Sequence, residues 1–221
     1  MSRIAKELEL IKGSIPGSVT LVAVSKTKPV ELLKDAYAAG QRHFGENRVQ
    51  ELEEKYTILA KDICWHMIGH LQSKKVKTIA PFVYLIHGVD SFKLLAEINK
   101  QALKNGRIID YLLQFHIAQE ETKFGFDLEE ALEMLGSDEF ATLKNIRLVG
   151  IMGMATFTDD TDQIRTEFKT LASYFDQLKS THFENVASFK EISMGMSGDY
   201  AIAIEEGSTM VRIGSAIFGG R

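Results

Sequence analysis

The chain has 221 residues, 45% hydrophobic and 25% charged, the balance of a globular protein long enough to bury a large core. Its 26 basic and 30 acidic residues give a net charge of -4, which argues against a nucleic-acid-binding stripe, and no apolar run approaches the ~20 residues of a membrane span. The one cysteine, Cys64, leaves no intrachain disulfide and no cysteine zinc pair; with a charged, helical start in place of a targeting segment, it points to a reducing, cytoplasmic setting.

Apolar positions Ile4, Leu8 and Ile11 recur at helical spacing, and Gly13 is the expected stop. Leu21 to Val24 is apolar on both faces, as a doubly covered parallel strand requires. Val22, Val24 and Lys26 share one face of it, so Lys26 stands at its carboxyl end, pointing inward. Pro29 suits the first turn of a helix running to Ala39, with Gly40 behind it. A short second strand and loop cover 42–47, and Val49, Leu52, Tyr56 and Leu59 mark a helix face. Strand Ile63–Gly69, which would bury Cys64, leads to a basic helical segment over Ser73–Ala80. Strand Phe82–Val89 leads to a helix over Ser91–Lys104.

The alternation continues with strand Asp110–Ile117 and a helix opened by Asp127, with Glu130 at capping-box spacing. Strand Arg147–Met154 precedes a helix over Thr161–Lys179, and Glu191–Met194 precedes a helix capped by Asp199 and closed at Gly207. Thr209–Gly214 is the last strand. About eight strands alternating with helices, three prolines and no low-complexity linker indicate one domain over 1–221, an α/β (β/α)8 TIM-type barrel with an extra N-terminal helix. That helix would cover the side left open where the chain stops past the eighth strand. A doubly wound open sheet is the alternative, with fewer strands expected.

Ligands of parallel α/β folds gather at the carboxyl ends of the strands, and in barrels the loops after strands seven and eight bind phosphate. Those loops are Met194–Asp199, containing Ser197, and Gly214-Ser215-Ala216; their glycines admit an anion close to the backbone. Lys26 at an apolar mouth is a candidate nucleophile toward a carbonyl, because desolvation favours the neutral amine; Lys28, beyond the strand, is a weaker one. Arg212 lies in an apolar strand and needs a partner, either an acceptor in the mouth or an internal carboxylate. Asn47 could bond a ligand or simply make a turn. His66, His70, His87 and His116 read as core or rim histidines rather than metal ligands, and Met152, Met154, Met194, Met196 and Met210 as core filler.

Five stretches in one order carry a family resemblance: Val24–Pro29, His43–Asn47, Trp65–Gln72, Ser193–Ser197 and Gly207–Gly214. They resemble the pyridoxal-phosphate homeostasis (YggS/PROSC) proteins. The resemblance implies a barrel like the N-terminal domain of alanine racemase, with pyridoxal 5'-phosphate as a Schiff base on Lys26. It implies phosphate contacts at Ser197, Gly214 and Ser215, with Arg212 facing the pyridine nitrogen. Two functions follow, a cofactor carrier that delivers to apo enzymes or a pyridoxal-phosphate-dependent amino-acid racemase. The racemases add a β-rich domain bearing a tyrosine base. This chain ends at Arg221 without one, and a lone barrel suits a monomeric carrier.

Overall fold

The computed structural model describes residues 2–119 and 125–220. Eight strands run β1 (Thr20–Val24), β2 (His43–Glu46), β3 (Cys64–Met67), β4 (Leu85–Val89), β5 (Ile109–Gln114), β6 (Ile146–Met152), β7 (Glu191–Met196) and β8 (Met210–Ile213). Each pairs in parallel with the next, and β8 returns to β1 through the register Thr20↔Met210 to Ala23↔Ile213, closing a barrel. Closure rules out the open sheet.

The helices that follow the strands are α2 (Val30–Ala38), α3 (Val49–Ile58), α4 (Val76–Ile79), α5 (Phe92–Lys104), α6 (Leu128–Leu135) with α7 (Asp138–Ala141), α8 (Thr161–His182), α9 (Tyr200–Glu205) and α10 (Ser215–Phe218); α1 (Arg3–Ser14) precedes β1. Outward-facing strand residues such as Phe44, Trp65, Tyr111 and Ile213 meet the helices in one large core. Val22, Leu85, Leu112, Val149, Met152 and Met210 form a separate cluster. They alternate with the outward residues along their strands, so they fill the barrel's interior. The extra helix α1 packs on α2 and the short α10, with Arg3 donating to the Phe218 carbonyl.

Several boundaries depart from the sequence pattern. Gly13 does not stop α1, which runs to Ser14, whose hydroxyl bonds back to Ile11 O. The strand expected from Phe82 begins only at Leu85, because Phe82 and Val83 close the turn after α4 by donating to the Ile79 carbonyl. Cys64 opens β3 and is half-buried rather than buried. The basic segment begins as a 3-10 turn over Ser73–Lys75. Asp127 and Glu130 do form the capping box. Asp199, expected as a helix cap, instead turns its carboxylate back to accept from Met196 N at 2.5 Å, shaping the loop after β7. Met154 and Met196 line the barrel mouth instead of filling the core.

Candidate functional site

A cavity of about 650 Å³ opens at the carboxyl ends of the strands and is lined by Lys26, Asn47, Ser197, Arg212, Gly214 and Ser215 together. Six positions spread over almost the whole chain therefore line one mouth, at the strand ends where the pattern put Lys26 and the two glycine loops. Lys26 follows β1 in the turn Ser25–Lys28, closed by Lys28 N donating to Ser25 O. Among the described residues its amine has neither a hydrogen bond nor an ion pair. Lys28 is otherwise engaged: its Nζ donates to the carbonyls of Gly219 (2.9 Å) and Gly220 (2.8 Å). The pair thus divides into one tethered amine and one available amine.

Two loops face Lys26. Ser197 Oγ accepts from Gly214 N at 3.3 Å, tying the loop after β7 to the start of α10. Gly195 has φ +94°, and a Cβ there would sit 2.6 Å from Ala203 Cβ, so only glycine lets α9 pack this close behind the loop. A Cβ on Gly214 would lie 3.0 Å from Val24 O; its absence brings the end of β8 against the end of β1, beside the lysine. Backbone N–H groups, hydroxyls and a cationic side chain converge there, a donor set suited to an anion.

Beneath the lysine turn lies a buried ionic cluster that the sequence reading did not include. Lys55, on α3, donates from Nζ to Ser25 O (2.8 Å), Glu46 Oε1 (2.8 Å) and Glu51 Oε1 (2.7 Å). Glu46 also accepts from Ser25 Oγ, and Glu51 from Thr27 N at 2.6 Å. Burial pushes the Glu46 carboxyl up, while Lys55 and Ser25 pull it back. Thr27 has φ 63°, a left-handed conformation costly for a β-branched residue. The Glu51 and Lys55 bonds on either side of Lys26 hold that conformation. The signal in the sequence was position: Lys55 falls on the Leu52–Leu59 stripe of its helix, where a lysine must be buried and paired.

Arg212, at 4% exposure, makes no ion pair with a carboxylate among the described residues. Its Nη1 donates to Ser193 O (2.8 Å) and Ser193 Oγ (2.6 Å), and Nη2 to Gly153 O (3.1 Å). Burial lowers its pKa to about 10, partly offset by Asp199, so it is cationic at neutral pH. Three of its five N–H donors are thus used, and the guanidinium lines the cavity with donors to spare. His66 and His87 lie fully buried inside the barrel and bonded to each other. Burial holds both well below the usual imidazole pKa, with neighbouring His43 acting on His66, and His66 and Arg212 acting on His87.

That depression fixes a pH dependence. A base whose folded pKa lies below its unfolded ~6.5 stabilises the fold above pH 6.5 and loses that contribution as pH falls. Each histidine should cost about 1.4 kcal/mol per pH unit below 6.5, until its folded pKa is reached. Urea midpoints should therefore drop steeply from pH 7 to pH 5. Midpoints that stay level over that range would contradict the buried neutral pair.

Comparison with known proteins agrees with this architecture. The family model described as alanine racemase, N-terminal domain, matches residues 1–221. The pyridoxal phosphate homeostasis protein of Aquifex aeolicus is 40% identical over 202 residues, covering 91% of this chain and 86% of that protein. Its counterpart from Vibrio alginolyticus is 40% identical over 214 residues, covering 95% of this chain and 89% of the relative. The chain belongs to the pyridoxal phosphate homeostasis protein family. PipY of Synechococcus elongatus, solved without pyridoxal phosphate, superposes with a TM-score of 0.91 at 34% identity, over 98% of this chain and 100% of PipY. The PipY structure with pyridoxal phosphate bound gives 0.87 at the same identity and coverage. Alanine racemase from Bartonella henselae shares the fold at 14% identity and TM-score 0.74, and the match covers 58% of that chain.

Proposed function

We propose that this protein binds pyridoxal 5'-phosphate in the mouth cavity, as a Schiff base on Lys26, and serves as a monomeric cytoplasmic carrier that delivers the cofactor to apo enzymes. The observation that carries the reading is the available Lys26 amine in one cavity with the Ser197–Gly214 bridge and the spare donors of Arg212. The 34% identical PipY with bound pyridoxal phosphate supports it. The residues fit the group's three functions. The aldehyde needs a primary amine, supplied by Lys26 with loss of water. The phosphate needs N–H and O–H donors, found at Ser197, Gly214 and Ser215, and Asn47, after β2, offers an amide to the same cavity. The pyridine nitrogen needs a donor, and Arg212 has one.

When bound, the cofactor supplies an electron sink for amino-acid substrates, and a donor that never gives up its proton to the ring weakens that sink. Racemisation further needs acid–base groups on both faces of the reacting carbon. None of the six tyrosines lines the cavity: Tyr111 is buried outside the barrel and Tyr200 Oη pairs with Ser14 Oγ. The racemase alternative rests only on distant fold relatives. Loaded protein mixed with an apo pyridoxal-phosphate enzyme should restore that enzyme's activity, and mixed with alanine it should leave the enantiomer unchanged. Sustained racemisation at ordinary enzyme rates, lost in Lys26→Ala, would overturn the carrier reading.

Ser197→Ala tests the phosphate end. A hydrogen bond to a charged group contributes about 1.5–3 kcal/mol, so retention of pyridoxal phosphate should weaken roughly 10- to 150-fold. Phosphate-free pyridoxal should bind almost unchanged, as titrations with both ligands can show. Equal losses for the two would place Ser197 away from the phosphate.

A further inference from the structure

Behind Arg212 the barrel interior contains a continuous line of polar groups. Arg212 Nη1 donates to Ser193 Oγ at 2.6 Å, and Ser193 Oγ meets His87 Nδ1 at 3.0 Å. His87 Nε2 meets His66 Nδ1 at 2.8 Å, and His66 Nε2 meets His43 Nδ1 at 3.0 Å. The line starts on β8, crosses through β7, β4 and β3, and ends at His43, the half-buried first residue of β2 beside the exposed Tyr84 ring. Ser193, His66 and His87 are fully buried, so no member of this middle stretch can exchange its partner for water.

We propose that Ser193, His87, His66 and His43 form one directed hydrogen-bond relay that positions Arg212, with its direction imposed from the arginine outward. A guanidinium only donates. Ser193 Oγ therefore accepts from Arg212, and its own proton must go to His87 Nδ1, its one other partner among the described residues. That nitrogen carries the lone pair, so neutral His87 holds its proton on Nε2 and donates it to His66 Nδ1. The same rule makes His66 an Nε2–H tautomer donating to His43 Nδ1, and His43 an Nε2–H tautomer as well. The reverse direction would point His87 Nδ1–H at Ser193 and strand a buried hydroxyl proton with no acceptor. A protonated histidine inside the line would likewise have to reverse every link between itself and the cation at Arg212. Burial, which holds His66 and His87 well below the usual imidazole pKa, works in the same sense.

For the ligand, the relay makes Ser193 and His87 positioning residues. They fix one edge of the guanidinium, alongside the carbonyls of Ser193 and Gly153, and so hold it at the cavity wall with two N–H groups to spare. This half rests on the reading above that Arg212 faces the cofactor's ring nitrogen; the tautomer half concerns the protein alone.

Histidine nitrogen NMR on ligand-free, 15N-labelled protein near pH 7.5 tests the direction. His87 and His66 should both be neutral with the proton on Nε2; a proton on Nδ1 of either overturns the relay. Ser193→Ala tests the positioning, using pyridoxal phosphate and its analogue carrying C–H in place of the ring nitrogen. Wild-type protein should prefer the true cofactor. The variant should lose about tenfold of that preference, one hydrogen bond's worth, while binding the analogue nearly as well as wild type does. An unchanged preference, or equal weakening toward both ligands, overturns the positioning role. If wild-type protein binds neither ligand, the cofactor reading fails, and the tautomer measurement then decides the relay by itself.

Discussion

Lys26→Ala is expected to abolish the covalent, visible-absorbing complex with pyridoxal phosphate while leaving the barrel folded. The side chain stands past the end of β1, half-buried at the mouth, and makes no bond to the described protein that its loss would break. Removing it therefore deletes an amine without creating an unpaired buried group, and the stability change should stay within about 0.5 kcal/mol, as for substitutions away from packed features. Weak, non-covalent binding should persist through the phosphate donors and Arg212. Absorbance and circular dichroism of the variant check both halves. A chromophore that survives on another lysine would falsify the assignment, with Lys28 already tied to the Gly219 and Gly220 carbonyls.

Lys55→Ala should produce the largest loss of stability. The substitution leaves Glu46 at 0% exposure without its cation, and Glu46 Oε2 already has no hydrogen-bond partner among the described residues. Removing one member of a buried ion pair costs about 3–5 kcal/mol, a large share of the 5–15 kcal/mol that holds a typical domain together. Glu46→Gln should cost well under half as much. Its amide oxygen can still accept from Ser25 and Lys55, and Lys55 keeps Glu51 as its counter-ion. Urea unfolding of the two variants separates them, and a Lys55→Ala loss below about 1 kcal/mol would show the cluster to be dispensable. The same variant should also load cofactor poorly, since Lys55 holds the carbonyl immediately before Lys26.

The strand–helix alternation was readable because a parallel barrel makes its strands apolar on both faces and its helices amphipathic on one. Strand-end logic then put Lys26 and the Ser197 loop at one mouth without reference to long-range contacts, whereas Arg212, inside its strand, was left between an acceptor in that mouth and an internal carboxylate. What local pattern could not reveal was pairing across the barrel. His87 and Ser193 are 106 residues apart, and nothing near either announces the other. Arg212 illustrates the limit: its burial was evident from the flanking apolar residues, but its partners proved to be the Ser193 hydroxyl and two carbonyls rather than a carboxylate. Asp199 shows a local failure of the same kind. Its position before α9 fits a cap, yet the glycine turn at Gly195 presents Met196 N to its carboxylate first.

Borohydride reduction of the pyridoxal-phosphate-loaded protein, followed by peptide mass mapping, tests the central claim most directly. Reduction converts a carbon–nitrogen double bond into a stable amine and so records which nitrogen held the cofactor. The pyridoxyl phosphate label should fall on the peptide containing Lys26, in a stoichiometry close to one per chain. Label confined to any other lysine, or no label from a protein that still binds the cofactor, would contradict the account.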